Sequence, residues 1–340
     1  MTRAAQSIPT IDLAPFLHGG ETEKKAVARQ VDDACRSIGF FTVVGHGVPE
    51  ALIASTRQAA IDFFSLPVEE KNKVERPPQK TSRGYFGVGD RSIAYSLGKA
   101  APPDLQEAFG FGPENVTYDP EDKSAKAMLA PNLWPERPAG FQSTMLSYRK
   151  AMTDLSEKFL RVVATALNVD EGFFKEKFDR QPSAVRLIRY PAVTEQPEEG
   201  QLRAGAHTDY GVITYIRGDD TPGGLQIWLR NGDWIDVHPD PGSFVCNIGD
   251  LMARWSNDRW LSTLHRVAVP PPEAEPKDRI SLVFFQTPNH DAVISCLETC
   301  IEPGRAAKYP NIICSEHYLT KLMKASHARL DASVQDAFAN

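Results

Sequence analysis

The sequence predicts a mainly β protein with helices: a double-stranded β-helix (jelly-roll) core wrapped by N-terminal and C-terminal helices. Three observations carry that prediction. Between residues 184 and 295, short runs rich in β-branched and aromatic residues recur with turn signals between them. Helical periodicity lies outside that stretch, at 22–38, 50–64 and 141–167 before it and at 315–332 after it. Within the stretch no helix alternates with the strands, so a closed sandwich fits better than a parallel sheet with crossovers.

Taken in order, Ile8-Pro9-Thr10-Ile11-Asp12-Leu13 is a short extended piece that ends before Pro15. Val27, Val31, Ala34, Cys35 and Ile38 then recur at spacings of three and four, the mark of an amphipathic helix. Phe40-Phe41-Thr42-Val43-Val44 stands between Gly39 and Gly45 and reads as a buried strand. A helix over 50–64 closes at Leu66-Pro67. From 76 to 140 the chain is rich in Pro and Gly and lacks periodicity, which predicts long loops of the kind that cover a site. Leu146, Met152, Leu155, Phe159, Leu160, Val163 and Leu167 mark a long buttressing helix.

Eight strands are expected after it, at 184–190, 211–216, 225–229, 234–237, 243–248, 265–269, 279–286 and 291–295. Pro222-Gly223-Gly224, Asn231-Gly232-Asp233 and Pro239-Asp240-Pro241-Gly242 supply turns between them, and Asn231-Gly232 between apolar pieces is a strong hairpin signal. These elements divide the chain into an N-terminal region over 1–140, a jelly-roll core over 141–300 and a C-terminal helical segment over 301–340.

Composition narrows the function. With 41% hydrophobic and 24% charged residues, the 340-residue chain can bury a large core. A formal net charge of −6 argues against nucleic acid and anionic membranes as partners. No apolar run is long enough to span a bilayer, and the N-terminus lacks a secretory stretch. Cys35, Cys246, Cys296, Cys300 and Cys314 are odd in number and scattered, which suits free thiols in a reducing, cytoplasmic setting. A small-molecule substrate is the partner this leaves; nothing in the sequence specifies an oligomeric state.

The chemistry-bearing residues begin with His207-Thr208-Asp209. On a strand or its end, residues two apart point to one side, so His207 and Asp209 can address one ion. Two histidines and one carboxylate on one face of an octahedron suit non-haem Fe(II) and leave three positions for other ligands. His238, His265 and His290 are candidates for the second histidine; His238 and His290 have turn-like contexts, while His265 opens a strand. Two histidines and an aspartate also suit a zinc hydrolase, although no general base stands at a recognisable spacing. His46, between two glycines, reads as part of a turn, and Asn247, Gly249 and Asp250 read as a tight turn.

Several segments together resemble one family. They are Pro241-Gly242-Ser243-Phe244-Val245-Cys246-Asn247-Ile248-Gly249-Asp250, Ser256-Asn257-Asp258, Ser262-Thr263-Leu264-His265-Arg266-Val267 and Arg279-Ile280-Ser281-Leu282, following His207-Thr208-Asp209. Their kinds and order resemble the 2-oxoglutarate/Fe(II) dioxygenases of the isopenicillin N synthase-like superfamily. Ile8 to Leu13, Gly39 through Val48, and Phe63-Phe64-Ser65-Leu66-Pro67 resemble its N-terminal domain, so the likeness covers nearly the whole chain.

The resemblance implies that His207, Asp209 and His265 are the catalytic iron ligands and that Arg279 and Ser281 hold the distal carboxylate of 2-oxoglutarate. Tyr190 resembles a further co-substrate contact, although Ile188 stands where plant members carry Asn. Fe(II), 2-oxoglutarate and O2 are then the cofactor and co-substrates. The expected activity is oxidation of a small molecule, by hydroxylation, desaturation or cyclisation, with release of succinate and CO2. Leu187-Ile188-Arg189-Tyr190-Pro191 is closer to isopenicillin N synthase itself, so an Fe(II)/O2 oxidase that uses no oxoacid is the alternative. Presence of all three ligands and of the anchor pair argues against a binding protein that kept only the fold. By position, Arg83, Tyr85, Phe109, Phe111, Tyr215 and Phe285 are the expected substrate contacts, for an apolar or aromatic molecule bearing an acid group.

Overall fold

A computed structural model describes residues 7–77, 82–90, 92–97, 101–119, 121–219 and 221–326. Two sheets face each other. The larger has eight strands in the order Thr10–Asp12, Phe40–Val44, Phe244–Ile248, Ile213–Arg217, Arg279–Gln286, Ala184–Tyr190, Glu107–Phe111 and Gly84–Phe86. Only its first pair is parallel. The smaller, antiparallel throughout, runs Ala204–His207, His265–Val267, Leu225–Trp228 and Trp234–Asp236. From Ala184 onward the chain passes back and forth between the two sheets, so strands distant in sequence pair within each, as a jelly roll requires.

The outer face of the large sheet is covered by the helix Phe141–Ala166, which packs on the helices Glu21–Ser37 and Glu50–Phe64. Phe141, Met145, Met152, Leu155 and Phe159 form its buried stripe, at the spacing that keeps one helical face on a core. Phe159 stacks on Phe41 of one strand and meets Tyr215 of another edge-on, with ring centroids 5.7 and 6.1 Å apart. Asp32 ties the N-terminal helix to the core by accepting hydrogen bonds from the Arg259 guanidinium and the Trp260 indole.

Several elements differ from expectation. The stretch 76–140 is not loop alone: it contains the strands Gly84–Phe86 and Glu107–Phe111 and the helix Lys123–Leu129. Every residue of Glu107–Phe111 is buried, so its sequence shows no alternation to betray a strand. Ala204–His207 is a strand built from Ala-Gly-Ala-His, with no β-branched residue to signal it. The expected strand at 291–295 exists as Val293–Ile294, but it pairs with Ile312–Ile313 in a separate small sheet. Of the C-terminal helix expected over 315–332, the described part is Cys314–Ser326; 327–332 lie outside the described residues.

Candidate active site

His265 is paired directly opposite His207 on adjacent antiparallel strands of the small sheet. That register sets their ring centroids 4.3 Å apart. Asp209 follows two residues after His207, just past the strand end, and its carboxylate reaches both rings. Its Oδ1 lies 3.8 Å from His207 Nε2 and its Oδ2 lies 3.8 Å from His265 Nε2. Among the described residues these three form the one group of metal-ligating side chains close enough to share an ion, with donor atoms all within 4.8 Å. All three are buried. His238 and His290 take no part; His46 instead accepts a hydrogen bond from the Val48 backbone and lies 2.9 Å from the Gly242 carbonyl.

The surroundings fit a metal. His207 Nδ1 lies 2.8 Å from the Gly205 carbonyl and His265 Nδ1 lies 3.0 Å from that of Thr263. A carbonyl oxygen can only accept, so each Nδ1 carries the proton and each Nε2 presents its lone pair to the centre. Asp209 Oδ2 accepts from Thr214 Oγ1 at 2.6 Å and from Asn247 Nδ2 at 2.7 Å. Burial resists the charge on Asp209, but the His265 and His207 rings when protonated, together with these two donors, outweigh it and hold the carboxyl below the usual range. Two imidazoles and one carboxylate without a thiolate are the donor set of an open non-haem iron site.

Asn247 thus supports the Asp209 carboxylate, and is not the turn residue its sequence suggests. It lies within the buried strand Phe244–Ile248, and the segment after that strand braces the loop that carries Asp209. Backbone amides of Gly249 and Asp250 donate to the carbonyls of Val212 and Asp209. A Cβ at Gly249 would stand 2.4 Å from the Gly211 carbonyl oxygen, so this close approach needs glycine. Asp250 accepts from Thr208, which lies between His207 and Asp209, and from Ser262, and it pairs with Lys321 at 2.6 Å. Asn247→Ala is expected to weaken Fe(II) binding by roughly 10–100-fold while the chain stays folded, as loss of a ligand's hydrogen-bond partner does elsewhere. Iron titration of the folded variant checks it; unchanged affinity counts against the support role.

One cavity between the sheets is lined by His207, Asp209 and His265 and also by Arg279, Ser281 and Tyr190. Arg279 and Ser281 alternate on one strand, and Tyr190 is the cross-strand partner of Arg279. Arg279 Nη1 donates to Asp219 Oδ1 at 3.0 Å and to the Thr221 carbonyl at 2.8 Å. Burial pushes the Tyr190 phenol up to about 12 against the opposing pull of Arg279, so it stays protonated and able to donate. A guanidinium fork, a hydroxyl and a phenol together suit a carboxylate.

Of the six expected substrate contacts, only Phe285 lines this cavity. Arg83 is buried beneath the sheet, donating to the carbonyls of Met128 and Ala130 and to Ser82 Oγ. Tyr85 donates to the buried Glu107 carboxylate at 2.6 Å. Phe109 and Phe111 pack with Trp134, Phe63 and Phe141, and Tyr215 packs with Phe159. The error is one of parity: successive strand residues face opposite sides, and these lie on the outer one. Counting by twos from Arg279 and Tyr190 instead reaches Val283, Phe285, Ile188 and Arg186, all on the cavity wall. The Arg186 guanidinium is flanked by the rings of Phe86 and Phe285, 5.3 and 5.4 Å from their centroids. Tyr318 and Leu322, four apart on the helix Cys314–Ser326, complete the lining.

Comparison with known proteins places this geometry. The N-terminal profile described as non-haem dioxygenase in morphine synthesis matches residues 8–137, and that of the 2OG-Fe(II) oxygenase superfamily matches residues 182–288. Homoarginine-6-hydroxylase 2-ODD-233 of Oryza sativa subsp. japonica is 37% identical over 334 residues, which is 94% of this chain and 97% of that one. Validamycin A dioxygenase of Streptomyces hygroscopicus subsp. limoneus is 32% identical over 93% of this chain and 86% of its own length. A full-length Neurospora crassa protein crystallised with alpha-KG and thymine superposes with a TM-score of 0.82 at 31% identity, covering 95% of this chain and 98% of that one. These relatives support the oxoacid-dependent reading and give none to the oxoacid-free oxidase.

Proposed function

Because the chain belongs to the 2OG-Fe(II) oxygenase superfamily, we propose an oxygenase role for each group in the cavity. The protein is a non-haem iron, 2-oxoglutarate-dependent dioxygenase that oxidises a small molecule, with Fe(II), 2-oxoglutarate and O2 as its cofactor and co-substrates. In our reading His207, Asp209 and His265 hold the iron, and Arg279, Ser281 and Tyr190 take the distal carboxylate of 2-oxoglutarate. Bound iron supplies the activation of O2, for which 2-oxoglutarate is the reductant. The chain's own work is to fix the donors, keep the ligand imidazoles in one tautomer and exclude water from a buried site.

The observation that carries this reading is the buried triad opposite an arginine, a serine and a phenol across one cavity. Its test is anaerobic addition of Fe(II) and then 2-oxoglutarate to metal-free protein. A visible charge-transfer band is expected to develop on the second addition; iron binding with no band would remove 2-oxoglutarate from this wall.

Homoarginine, validamycin A and thymine, the compounds that the relatives' descriptions mention, have little chemistry in common. The wall of this cavity is more informative. Apart from the His-Asp-His triad and Arg279, Arg186 is the charged side chain on it among the described residues, held between Phe86 and Phe285 in a wall that also includes apolar Ile93, Met128 and Ile216. The substrate we propose carries an acidic group for Arg186 and an apolar or planar body for the rings. Succinate release across matched acids and their amides should favour the acids. Arg186→Gln should raise the KM of the productive acid by about tenfold or more, as loss of a hydrogen bond to a charged group costs about 1.5–3 kcal/mol. A productive amide, or a KM insensitive to Arg186→Gln, would contradict the acid-group assignment.

A further inference from the structure

The co-substrate wall depends on a residue that does not line it. Arg57 lies on the helix Glu50–Phe64, in the region matched by the N-terminal profile. Its guanidinium crosses to the core and makes three hydrogen bonds there. Nη1 donates to Asp219 Oδ2 at 2.9 Å and to the Ile280 carbonyl at 3.1 Å, and Nη2 donates to the Gly218 carbonyl at 2.8 Å. Asp219 in turn accepts from Arg279 Nη1 and from the backbone amides of Thr221 and Ile280. One carboxylate therefore sits between two arginines, one from the N-terminal region and one facing the cavity.

The turn that carries Asp219 also grips the Arg279 head group by its backbone. Both hydrogens of Arg279 Nη1 are used, on Asp219 and on the Thr221 carbonyl. A Cβ at Gly218 would stand 2.9 Å from Arg279 Nη2, and one at Gly224 would stand 3.6 Å from it, so the guanidinium lies against bare backbone on both sides. Arg57 binds this turn at Gly218 and Asp219 and binds the strand of Arg279 at Ile280. It thereby fixes the spacing between the turn and the strand.

Charge points the same way. Asp219 and Arg279 cancel by themselves; two further cations act on the pair, Arg57 bonded to Asp219 and the buried Arg203. With Arg57 added, the trio of two guanidinium groups and one carboxylate carries one net positive charge, matching the one distal carboxylate of 2-oxoglutarate. The bridging geometry commits the Nη1 edge of Arg279 to the turn, while the residue itself lines the cavity.

We infer that Arg57 is a positioning residue for 2-oxoglutarate, acting through Asp219 to orient Arg279 and to keep the anchor net positive. This rests on the proposed role of Arg279 as the anchor of the distal carboxylate. The experiment uses the full chain loaded with Fe(II) under anaerobic conditions. Two oxoacids are titrated: 2-oxoglutarate, and 2-oxobutyrate, which has the same metal-chelating end and no distal carboxylate. Arg57→Gln is expected to raise the Kd of 2-oxoglutarate tenfold or more and to leave the Kd values of 2-oxobutyrate and Fe(II) unchanged. Arg57→Lys, which keeps the charge and reaches fewer of the three acceptors, is expected to fall between, and it serves in place of Arg57→Gln should that variant not fold. A 2-oxoglutarate Kd unchanged in the folded variants overturns the inference, and so does an equal loss for both oxoacids, which would mark Arg57 as a general brace. If Arg279→Ala leaves 2-oxoglutarate binding intact, the anchor assignment itself fails, whatever Arg57 does.

Discussion

Asp209→Ala is expected to abolish 2-oxoglutarate-dependent turnover and to strip the protein of tightly held Fe(II). The carboxylate is the one anionic donor of the triad, and it is also the group that spans the two imidazoles. Its loss does more than remove a ligand. Thr214 Oγ1 and Asn247 Nδ2, both buried, would lose their shared acceptor, at a cost of about 1–3 kcal/mol for each unsatisfied donor. The variant should therefore be less stable as well as inactive. Iron titration, succinate release and thermal melting of the same preparation check the three effects together. Normal turnover in Asp209→Ala would sink the ligand assignment.

Arg279→Ala carries the second large effect, on co-substrate binding. Truncating one partner of a buried, hydrogen-bonded charge pair costs about 2–5 kcal/mol, which is roughly thirtyfold to several-thousandfold in Kd. Here the loss is compounded, because Asp219 would keep, among the described residues, only Arg57 as an ion-paired guanidinium. A carboxylate arriving there would meet a neutral pair in place of a net cation. Arg279→Lys should recover part of the affinity, since it restores the charge without the planar fork. Anaerobic titration of 2-oxoglutarate on the Fe(II) protein measures both variants, and Fe(II) affinity should be unchanged in each. Equal Kd values for Arg279→Ala and the parent chain would remove Arg279 from the co-substrate site.

Much of the centre was legible in the sequence because its parts are local. His207 and Asp209 stand two apart at a strand end, and Arg279 and Ser281 alternate on a strand. A motif order read along the chain finds such groups without knowing the sheet. What escaped were properties that only register determines. Tyr215 and Thr214 are neighbours, yet Thr214 bonds Asp209 while Tyr215 packs on Phe159. Residue type and nearness in sequence favour the tyrosine; the pleat decides for the threonine. The same pleat puts Tyr85, Phe109 and Phe111 on the outer face, and it puts Arg186 inside. Asn247 escaped for another reason: in Asn-Ile-Gly-Asp its residue type suggests a turn, and only the approach of a strand 38 residues away in sequence reveals its bond to Asp209.

The roof supplied by Tyr318 and Leu322 bears on the order in which a growing chain can make its centre. The cavity lining runs from Ser82 to Leu322, and the triad spans 207 to 265. A nascent chain emerging from its N-terminus has all three donors in place 53 residues before Tyr318 is added (318 − 265 = 53). Through that interval the donor set can form while the mouth still stands open on this side. The walls of the pocket are therefore completed last, and any stalled product ending before Leu322 carries the donors without their full enclosure.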